Sequence, residues 1–151
     1  IQALVRAGRK GAKIDLIVRG ACMLPAQVPG LTDNIRVRSV VGRFLEHSRI
    51  FYFRTDGRED LYLSSADWMN RNMLRRIELA WPVTDPRMRQ RIIDECLVPY
   101  LLDGREAWDL HADGRYIRVN AATGRDGAVP GHGAQDALAE RYANRRRAND
   151  T

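Results

Sequence analysis

Residues 14–20 (IDLIVRG) decide the fold class of this chain of 151 residues. Positions 14–18 are nearly all apolar, which is typical of a central strand covered on both faces in an α/β sheet. Arg19 and Gly20 follow at the carboxyl end of that strand, where open α/β sheets bind their ligands. The stretch therefore predicts an α/β domain with Arg19 close to a ligand.

Turn and periodicity signals on either side predict the other elements. We expect a helix before Gly8 or Gly11, and a strand over 35–39 in which Arg36 and Arg38 form a cationic face. We also expect a helical turn at 42–46, two strands at 50–53 and 61–64 that are joined by a turn at 55–58, and a strand at 77–83. The remaining predictions are a helix that begins at Asp85-Pro86 and kinks or ends near Pro99, a hairpin over 107–119 and a helix along Ala134, Leu138 and Tyr142.

The charge of the chain favours an anionic partner. There are 25 basic and 19 acidic residues, a formal net charge of +6, and only Lys10 and Lys13 are lysines. Arginine suits a phosphate-bearing polyanion because its planar guanidinium donates two parallel hydrogen bonds to one phosphate. A GC-rich genome would produce the same arginine excess, so composition leaves the partner open.

The sequence argues against a membrane, secreted or zinc-binding protein. No apolar run reaches the roughly 20 residues of a membrane span, and the first residues have helical spacing rather than that of a signal peptide. Cys22 and Cys96 belong to no Cys-x-x-Cys pair, so we expect two buried thiols in a reducing cytoplasm. The chain opens without Met, and we expect it to be a piece of a longer protein.

Three short groups of polar residues contain the candidate chemistry. Arg19 is the first. His47 and Arg49 form the second, and their spacing places both on one side of an extended chain. The third gathers hydroxyls and a carboxylate at a predicted strand end: Ser64, Ser65 and Asp67. These residue types suit phosphoryl transfer, in which an imidazole can move a proton or attack phosphorus while cations and hydroxyls hold the phosphate oxygens.

A plainer interpretation of each group stays open. A single histidine before a strand is more often structural or exposed, and Ser-Ser-Ala-Asp also caps turns. We expect His111 at the surface and His132 in a flexible loop. Two or three of six arginines are expected to contact a polyanion: Arg36, Arg38, Arg43, Arg71, Arg75 and Arg76. Three aromatic residues are expected in the core: Phe51, Phe53 and Trp81.

Residues 14–20, 34–49 and 61–72 resemble polyphosphate kinase. The resemblance runs from about residue 14 to 91 and continues more loosely through 107–119 and the final helix. It implies a phospholipase D-like α/β fold, a mixed sheet flanked by helices, forming a single lobe over 1–122. A flexible Gly-rich loop at 123–133 and a basic C-terminal helix and tail at 134–151 would follow.

The resemblance also implies a reaction and roles for these residues. Polyphosphate kinase transfers the γ-phosphate of ATP reversibly to polyphosphate through a phosphohistidine, which belongs to a lobe that this chain lacks. His47 corresponds to a second histidine that contacts the nucleotide phosphates and acts as acid or base. Arg19 corresponds to an arginine that binds the ATP phosphates. The wider phospholipase D superfamily has a His-x-Lys element, and Arg49 takes the place of its Lys. The Gly-Ser-x-Asn element of the same superfamily corresponds to Ser64, Ser65 and Asp67.

The partners that the resemblance implies are ATP or ADP, inorganic polyphosphate and the other lobes of the parent enzyme. Mg²⁺ would be bound mainly outside this chain, with no metal ligand within it. We expect a cytoplasmic enzyme that forms homo-oligomers at full length, binds no specific nucleic acid and has no membrane span. The chain by itself is expected to be inactive.

Two other functions remain open at this point. The first is a phospholipase D-type nuclease or phosphodiesterase that uses His47 as its nucleophile. The Asp that this superfamily has seven residues after its His is Arg54 here, which argues against such a hydrolase. The second is a non-catalytic basic module that binds nucleic acid, with an affinity that falls steeply as salt rises.

Overall fold

A computed structural model describes residues 1–119, 129–131 and 133–149 of the chain. Most of the predicted Gly-rich loop at 123–133, with His132, lies outside the described residues, as do the last two residues of the predicted tail. The described residues contain no helix with the length and apolar character that crossing a membrane requires.

Short helices and strands alternate along the chain. In order they are α1 (Gln2–Arg9), β1 (Ile14–Ile17), β2 (Ile35–Val40), β3 (Ile50–Thr55), β4 (Arg58–Ser64), α2 (Asn70–Arg75), β5 (Ala80–Pro82), α3 (Pro86–Ile92), a π-helical turn (Ile93–Leu97), α4 (Val98–Leu101), β6 (Asp103–Gly104), β7 (Ala107–Leu110), β8 (Tyr116–Arg118), β9 (Val129–Pro130) and α5 (Ala134–Asn149).

The contacts divide the chain into two compact units. The first unit comprises Ile1–Leu45 and Val98–Thr151, and the second comprises Glu46–Leu97. The assignment of residues 1–122 to one lobe stays a prediction.

The first unit is built on a mixed sheet with the strand order β1-β2-β7-β8. β1 and β2 are parallel, whereas β2–β7 and β7–β8 are antiparallel. Ile35 and Val37 of β2 are fully buried, as a central strand requires. The prediction that residues 14–18 form a central strand is wrong, because β1 lies at the edge of this sheet and is only half-buried. The mixed sheet and its helices confirm the predicted α/β class.

A buried ion pair connects the two middle strands of this sheet. Arg38 on β2 is 3% exposed and lies directly opposite Asp109 on β7. Its Nε and Nη2 donate to the two carboxylate oxygens at 2.8 and 3.2 Å, and its Nη1 donates to the carbonyl oxygens of Leu101 and Asp103. The predicted cationic face of β2 is therefore wrong at Arg38, whose guanidinium is occupied inside the unit and cannot line a polyanion channel.

The second unit contains the antiparallel sheet β3-β4-β5. β3 and β4 form the predicted hairpin, and Gly57 in its turn has a φ of +83°, a left-handed conformation that glycine adopts without strain. Phe51 is half-buried and stacks on Trp68 with ring centroids 5.3 Å apart. The prediction that Phe53 and Trp81 belong to the core is wrong, because they are 58% and 47% exposed.

Two other local predictions need correction, and one helix was not predicted. Residues 42–46 form no helical turn. The strand predicted at 77–83 is only Ala80–Pro82, because the Leu79 N–H donates to the Ser65 hydroxyl instead of a neighbouring strand. Helix α2 was not predicted, since its six residues have no apolar stripe and the residue it buries is Asn72.

The helical run after Pro86 is predicted well at its start and less well at its end. The Asp85 carboxylate accepts a hydrogen bond from the Met88 N–H at 2.7 Å, as an N-cap should. The run does not end near Val98. It passes through the π-helical turn and continues to Leu101, and this change of hydrogen-bond register accommodates Pro99, which has no N–H to donate.

We expect Arg38→Met to destabilise the first unit by about 3–5 kcal/mol, because it removes the buried positive charge that Arg38 places on the Asp109 carboxylate. Urea unfolding of this chain, followed by circular dichroism, measures the loss. Arg36→Met is the matched control on the same strand, since the Arg36 side chain is half-exposed, and its effect should stay within about 0.5 kcal/mol. Equal stabilities of the two variants would contradict the structural role of Arg38.

Candidate functional site

His47 lies at the surface of the second unit, in the extended segment that leads into β3. Nη2 of Arg49 lies 2.5 Å from Nε2 of the imidazole, and Nη1 donates to the His47 carbonyl oxygen at 3.1 Å. A guanidinium has donors and no acceptor, so a hydrogen bond from Arg49 needs a ring nitrogen with a free lone pair. Nη1 also lies 3.4 Å from Nδ1, and the shorter contact favours Nε2 as the acceptor.

Asp67 fixes the guanidinium that contacts His47. Its Oδ1 accepts a hydrogen bond from Arg49 Nε at 2.9 Å. This hydrogen bond, with the positive charge of Arg49, lowers the pKa of the Asp67 carboxyl group below its ordinary value. His47, Arg49 and Asp67 thus form a connected line of side chains, in which the carboxylate orients the cation and the cation orients the imidazole.

The two serines next to Asp67 are engaged in turn hydrogen bonds. The Ser64 hydroxyl donates to the Leu79 carbonyl oxygen and accepts from the Ala66 N–H, both at 3.1 Å. The Ser65 hydroxyl donates to Glu78 at 2.5 Å and accepts from the Leu79 N–H at 3.0 Å. These contacts match the turn-capping interpretation, and a role of either serine toward a ligand stays a prediction.

Glu78 and Asn72 extend the hydrogen bonds of Ser65, although the sequence did not indicate them. The Glu78 carboxylate accepts hydrogen bonds from Ser65 and from the Asn72 side-chain amide, the latter at 2.7 Å, and these bonds lower its pKa. Asn72 is 3% exposed, and its Oδ1 has no hydrogen-bond partner among the described residues. A polar residue inside a short helix gives no periodic signal, which explains why the sequence did not reveal this pair.

Arg19 belongs to the first unit, directly after β1. Gly20 has a φ of +82°, its N–H donates to the Ser39 hydroxyl at 3.1 Å, and its carbonyl oxygen accepts from the Tyr116 hydroxyl at 3.0 Å. Burial raises the pKa of Tyr116, which keeps this hydroxyl protonated as a donor. The turn is therefore fixed by side chains of two other strands, β2 and β8, and it presents an exposed Arg19 that makes no ion pair within the described residues.

The other titratable residues lie outside these groups. His111, expected at the surface, is half-buried where the β7–β8 turn begins. Cys22 and Cys96 are free thiols and only half-buried, so the prediction of full burial is wrong, although burial still raises the pKa of Cys96. Within the described parts of the chain, no three His, Cys, Asp or Glu side chains lie close enough together to hold a metal ion.

Comparison with known proteins identifies the class to which this chain belongs. The family model described as "Polyphosphate kinase C-terminal domain 2" matches residues 1–128, which include every candidate site residue. The chain belongs to the polyphosphate kinase family, as the resemblance predicted.

Individual relatives agree with that family. The chain is 55% identical over 121 residues to a polyphosphate kinase of Burkholderia lata and 52% identical over 128 residues to one of Neisseria meningitidis serogroup B. These matches cover 80% and 85% of this chain but only 18% and 19% of the two relatives. The crystal structure of polyphosphate kinase from Porphyromonas gingivalis matches 97% of this chain and 22% of its own, with a TM-score of 0.82 and 38% identity.

We expect Asp67→Asn to lower the melting temperature of the chain at neutral pH, because the charge-assisted bond to Arg49 is lost. The pKa of Asp67 is lowered by folding, so this stabilisation is present above the ordinary Asp pKa of about 4 and is lost as pH falls through the lower folded value. Thermal unfolding of the chain and the variant at about pH 6 and about pH 3 measures the effect, which should be below about 1 kcal/mol for so exposed a pair.

Asp15→Asn is the control for this experiment, since Asp15 lies 4.0 Å from Arg36 in an exposed pair. It should change the melting temperature little at either pH. A difference between the chain and Asp67→Asn that is the same at both pH values would contradict the anchoring of Arg49 by Asp67.

Proposed function

We propose that this chain is the C-terminal catalytic lobe of a polyphosphate kinase that reversibly transfers the γ-phosphate of ATP to inorganic polyphosphate. The observation that carries the proposal is the line of contacts from Asp67 through Arg49 to His47, in a chain whose family membership is established. Because the chain spans less than a fifth of its curated relatives, the activity is proposed for the longer parent protein.

His47 is the proposed acid or base of the reaction. The contact of Arg49 with Nε2 supports this role, since a nitrogen that accepts a hydrogen bond has the lone pair that a base needs. The guanidinium of Arg49 places a positive charge beside that nitrogen. When a phosphate oxygen approaches, the guanidinium can exchange its contact with the imidazole for a stronger charge-assisted hydrogen bond to the phosphate. Nε2 is then free to accept a proton, and the imidazolium returns it in the reverse direction.

Arg19 is the proposed clamp for the phosphates of ATP. An arginine at the carboxyl end of a sheet strand, on a turn fixed by two hydrogen bonds, presents its guanidinium with little reorganisation on binding. Ser64, Ser65 and Asp67 are further proposed contacts. The two hydroxyls would have to give up their present bonds to Leu79 and Glu78 in order to bind a phosphate, so we rank them below Arg19 and His47.

Other parts of the proposal concern the parent enzyme. The phosphohistidine and most ligands of Mg²⁺, which enters with ATP as part of the substrate, are assigned to the missing lobes. The fold is proposed to be phospholipase D-like, with residues 1–122 as one lobe. We propose a cytoplasmic homo-oligomer whose partners are ATP, ADP and polyphosphate.

A kinase is preferred to a phosphodiesterase because of Arg54. The resemblance implies an Asp at this position on β3, seven residues after the histidine, in the phospholipase D superfamily. Here it is an arginine with a positively charged side chain that is 75% exposed. The basic nucleic-acid-binding module has no observation that favours it over the kinase.

We expect the parent enzyme to transfer label from γ-labelled ATP into an acid-labile polymer that resists phosphatase, and His47→Ala to lower this rate by at least about a hundredfold, the usual contribution of a general acid or base. Arg19→Ala should mainly raise the KM for ATP. Quantifying the labelled polymer with and without each substitution is the measurement. The chain by itself should make no polymer.

Arg115→Ala is the matched control for Arg19→Ala, because Arg115 is an exposed arginine of the hairpin turn in the same unit. It should leave both kcat and KM unchanged. If the His47→Ala parent made polymer at the normal rate, His47 would be structural. If the unmodified parent made no polymer, the kinase assignment itself would fail.

A further inference from the structure

Two parallel strands of the first unit end at the same edge of its sheet, and an arginine follows each of them. β1 pairs with β2 in parallel, with Ile17 opposite Arg38. Arg19 follows the end of β1 by two residues, and Arg43 follows the end of β2 at Val40 by three. The carboxyl ends of parallel strands are where open α/β sheets bind ligands, so Arg43 lies on the ligand-binding edge of the unit, as Arg19 does.

The two arginines lie within reach of one ligand. The Gly20 N–H donates to the Ser39 hydroxyl at 3.1 Å, which holds Arg19 beside β2. Ser39 precedes Arg43 by four residues, and four residues span at most about 14 Å. Two extended arginine side chains and a triphosphate can bridge a separation of this size.

The backbone on both sides of Arg43 is fixed by Gln135 of α5. Gln135 Oε1 accepts a hydrogen bond from the Phe44 N–H, and its Nε2 donates to the Phe44 carbonyl oxygen, both at 2.8 Å. A Cβ at Gly42 would come within 2.5 Å of Gln135 Oε1, so the glycine leaves the space that the amide occupies. Gln135 is only 8% exposed, so water does not easily replace these bonds. Arg43 therefore extends from a segment that needs little ordering when a ligand binds.

The guanidinium of Arg43 is available to a ligand. It is exposed, and its Cζ lies 5.4 Å from the centroid of the Phe44 ring, which is itself 56% exposed. A cation–π contact at an exposed site is weaker than a charge-assisted hydrogen bond to phosphate, so a phosphate can replace it. The other two arginines of this segment have acidic partners, because Arg38 is bonded inside the unit and Arg36 lies 4.0 Å from Asp15.

We propose that Arg43 is a second phosphate-binding residue of the first unit, which binds the triphosphate of ATP together with Arg19. The inference rests on the proposed function and deepens it, because it names a further residue that contacts the nucleotide. A triphosphate carries several negative charges, and each guanidinium donates two parallel hydrogen bonds to one phosphate. Two arginines on one edge can therefore bind different phosphates of the same nucleotide.

The test measures binding of a non-hydrolysable ATP analogue with Mg²⁺ to the parent enzyme by isothermal titration calorimetry. We expect Arg43→Ala to raise the Kd by about ten- to hundredfold, the equivalent of one hydrogen bond to a charged group. Arg43→Lys should recover part of this loss, because lysine keeps the charge but has no planar fork. Arg115→Ala, which removes an exposed arginine of the hairpin turn, is the matched control and should leave the Kd unchanged.

Two further measurements separate phosphate binding from general stability. Adenosine, which has the base and sugar of ATP but no phosphate, should lose less than about twofold in affinity in Arg43→Ala, since this arginine contacts only phosphate. The melting temperature of the variant should fall by less than about 2 °C, as expected for the substitution of an exposed side chain.

An unchanged Kd for the ATP analogue in Arg43→Ala would overturn the proposal. An equal loss of affinity for adenosine, or a larger fall in melting temperature, would assign Arg43 to the stability of the unit and also overturn it. A loss of affinity for polyphosphate alone would assign Arg43 to the polymer and overturn its role toward ATP. Failure of the proposed function looks different, because then the unmodified parent makes no polymer from ATP, whether or not Arg43→Ala weakens binding of the analogue.

Discussion

The buried guanidinium of Arg38 is the contact on which the first unit depends. It connects β2 to β7 through Asp109 and reaches the carbonyl oxygens of Leu101 and Asp103 at the end of α4. The Asp103 carboxylate in turn accepts N–H groups of Arg105, Glu106 and Ala134, which fixes the start of α5. Removing the charges of Arg38 and Asp109 from water costs free energy. Hydrogen bonds from Nε, Nη1 and Nη2 of Arg38 to protein oxygens offset this cost. The strands that support Arg19 and the start of α5 both rest on this network.

The second unit is organised in a different way, around polar contacts close to its surface. Asp67, Arg49 and His47 follow one another in space, and Glu78 with Asn72 holds the adjacent Ser65. Charge-assisted hydrogen bonds give such an exposed cluster a defined geometry before any ligand binds. In the proposed function Arg49 binds phosphate, so the cost of orienting its guanidinium is met during folding and not during binding.

Local signals predicted much of this fold, and distant partners account for most of the errors. The apolar run of β1, the Asp56-Gly57 turn and the Asp85 cap each depend on neighbouring residues, so the sequence revealed them. The burial of Arg38 depends on Asp109, 71 positions away, and alternation along β2 could not indicate it. The same difference between local signals and distant partners applies to the candidate site. Its residues were found through a family resemblance, while the contacts that orient them, such as Glu78 on Ser65, became visible only in three dimensions.

The most direct test of the central claim, that Asp67 and Arg49 hold His47 as a proton acceptor, is to determine which nitrogen of its ring carries the proton. Long-range ¹H–¹⁵N NMR on histidine-labelled protein, at a pH where the ring is neutral, distinguishes the two forms. We expect the proton on Nδ1, with Nε2 accepting from Arg49, and a mixture of both forms in Asp67→Asn. A proton on Nε2, or a ring that does not respond to the loss of the Asp67 charge, would contradict the claim.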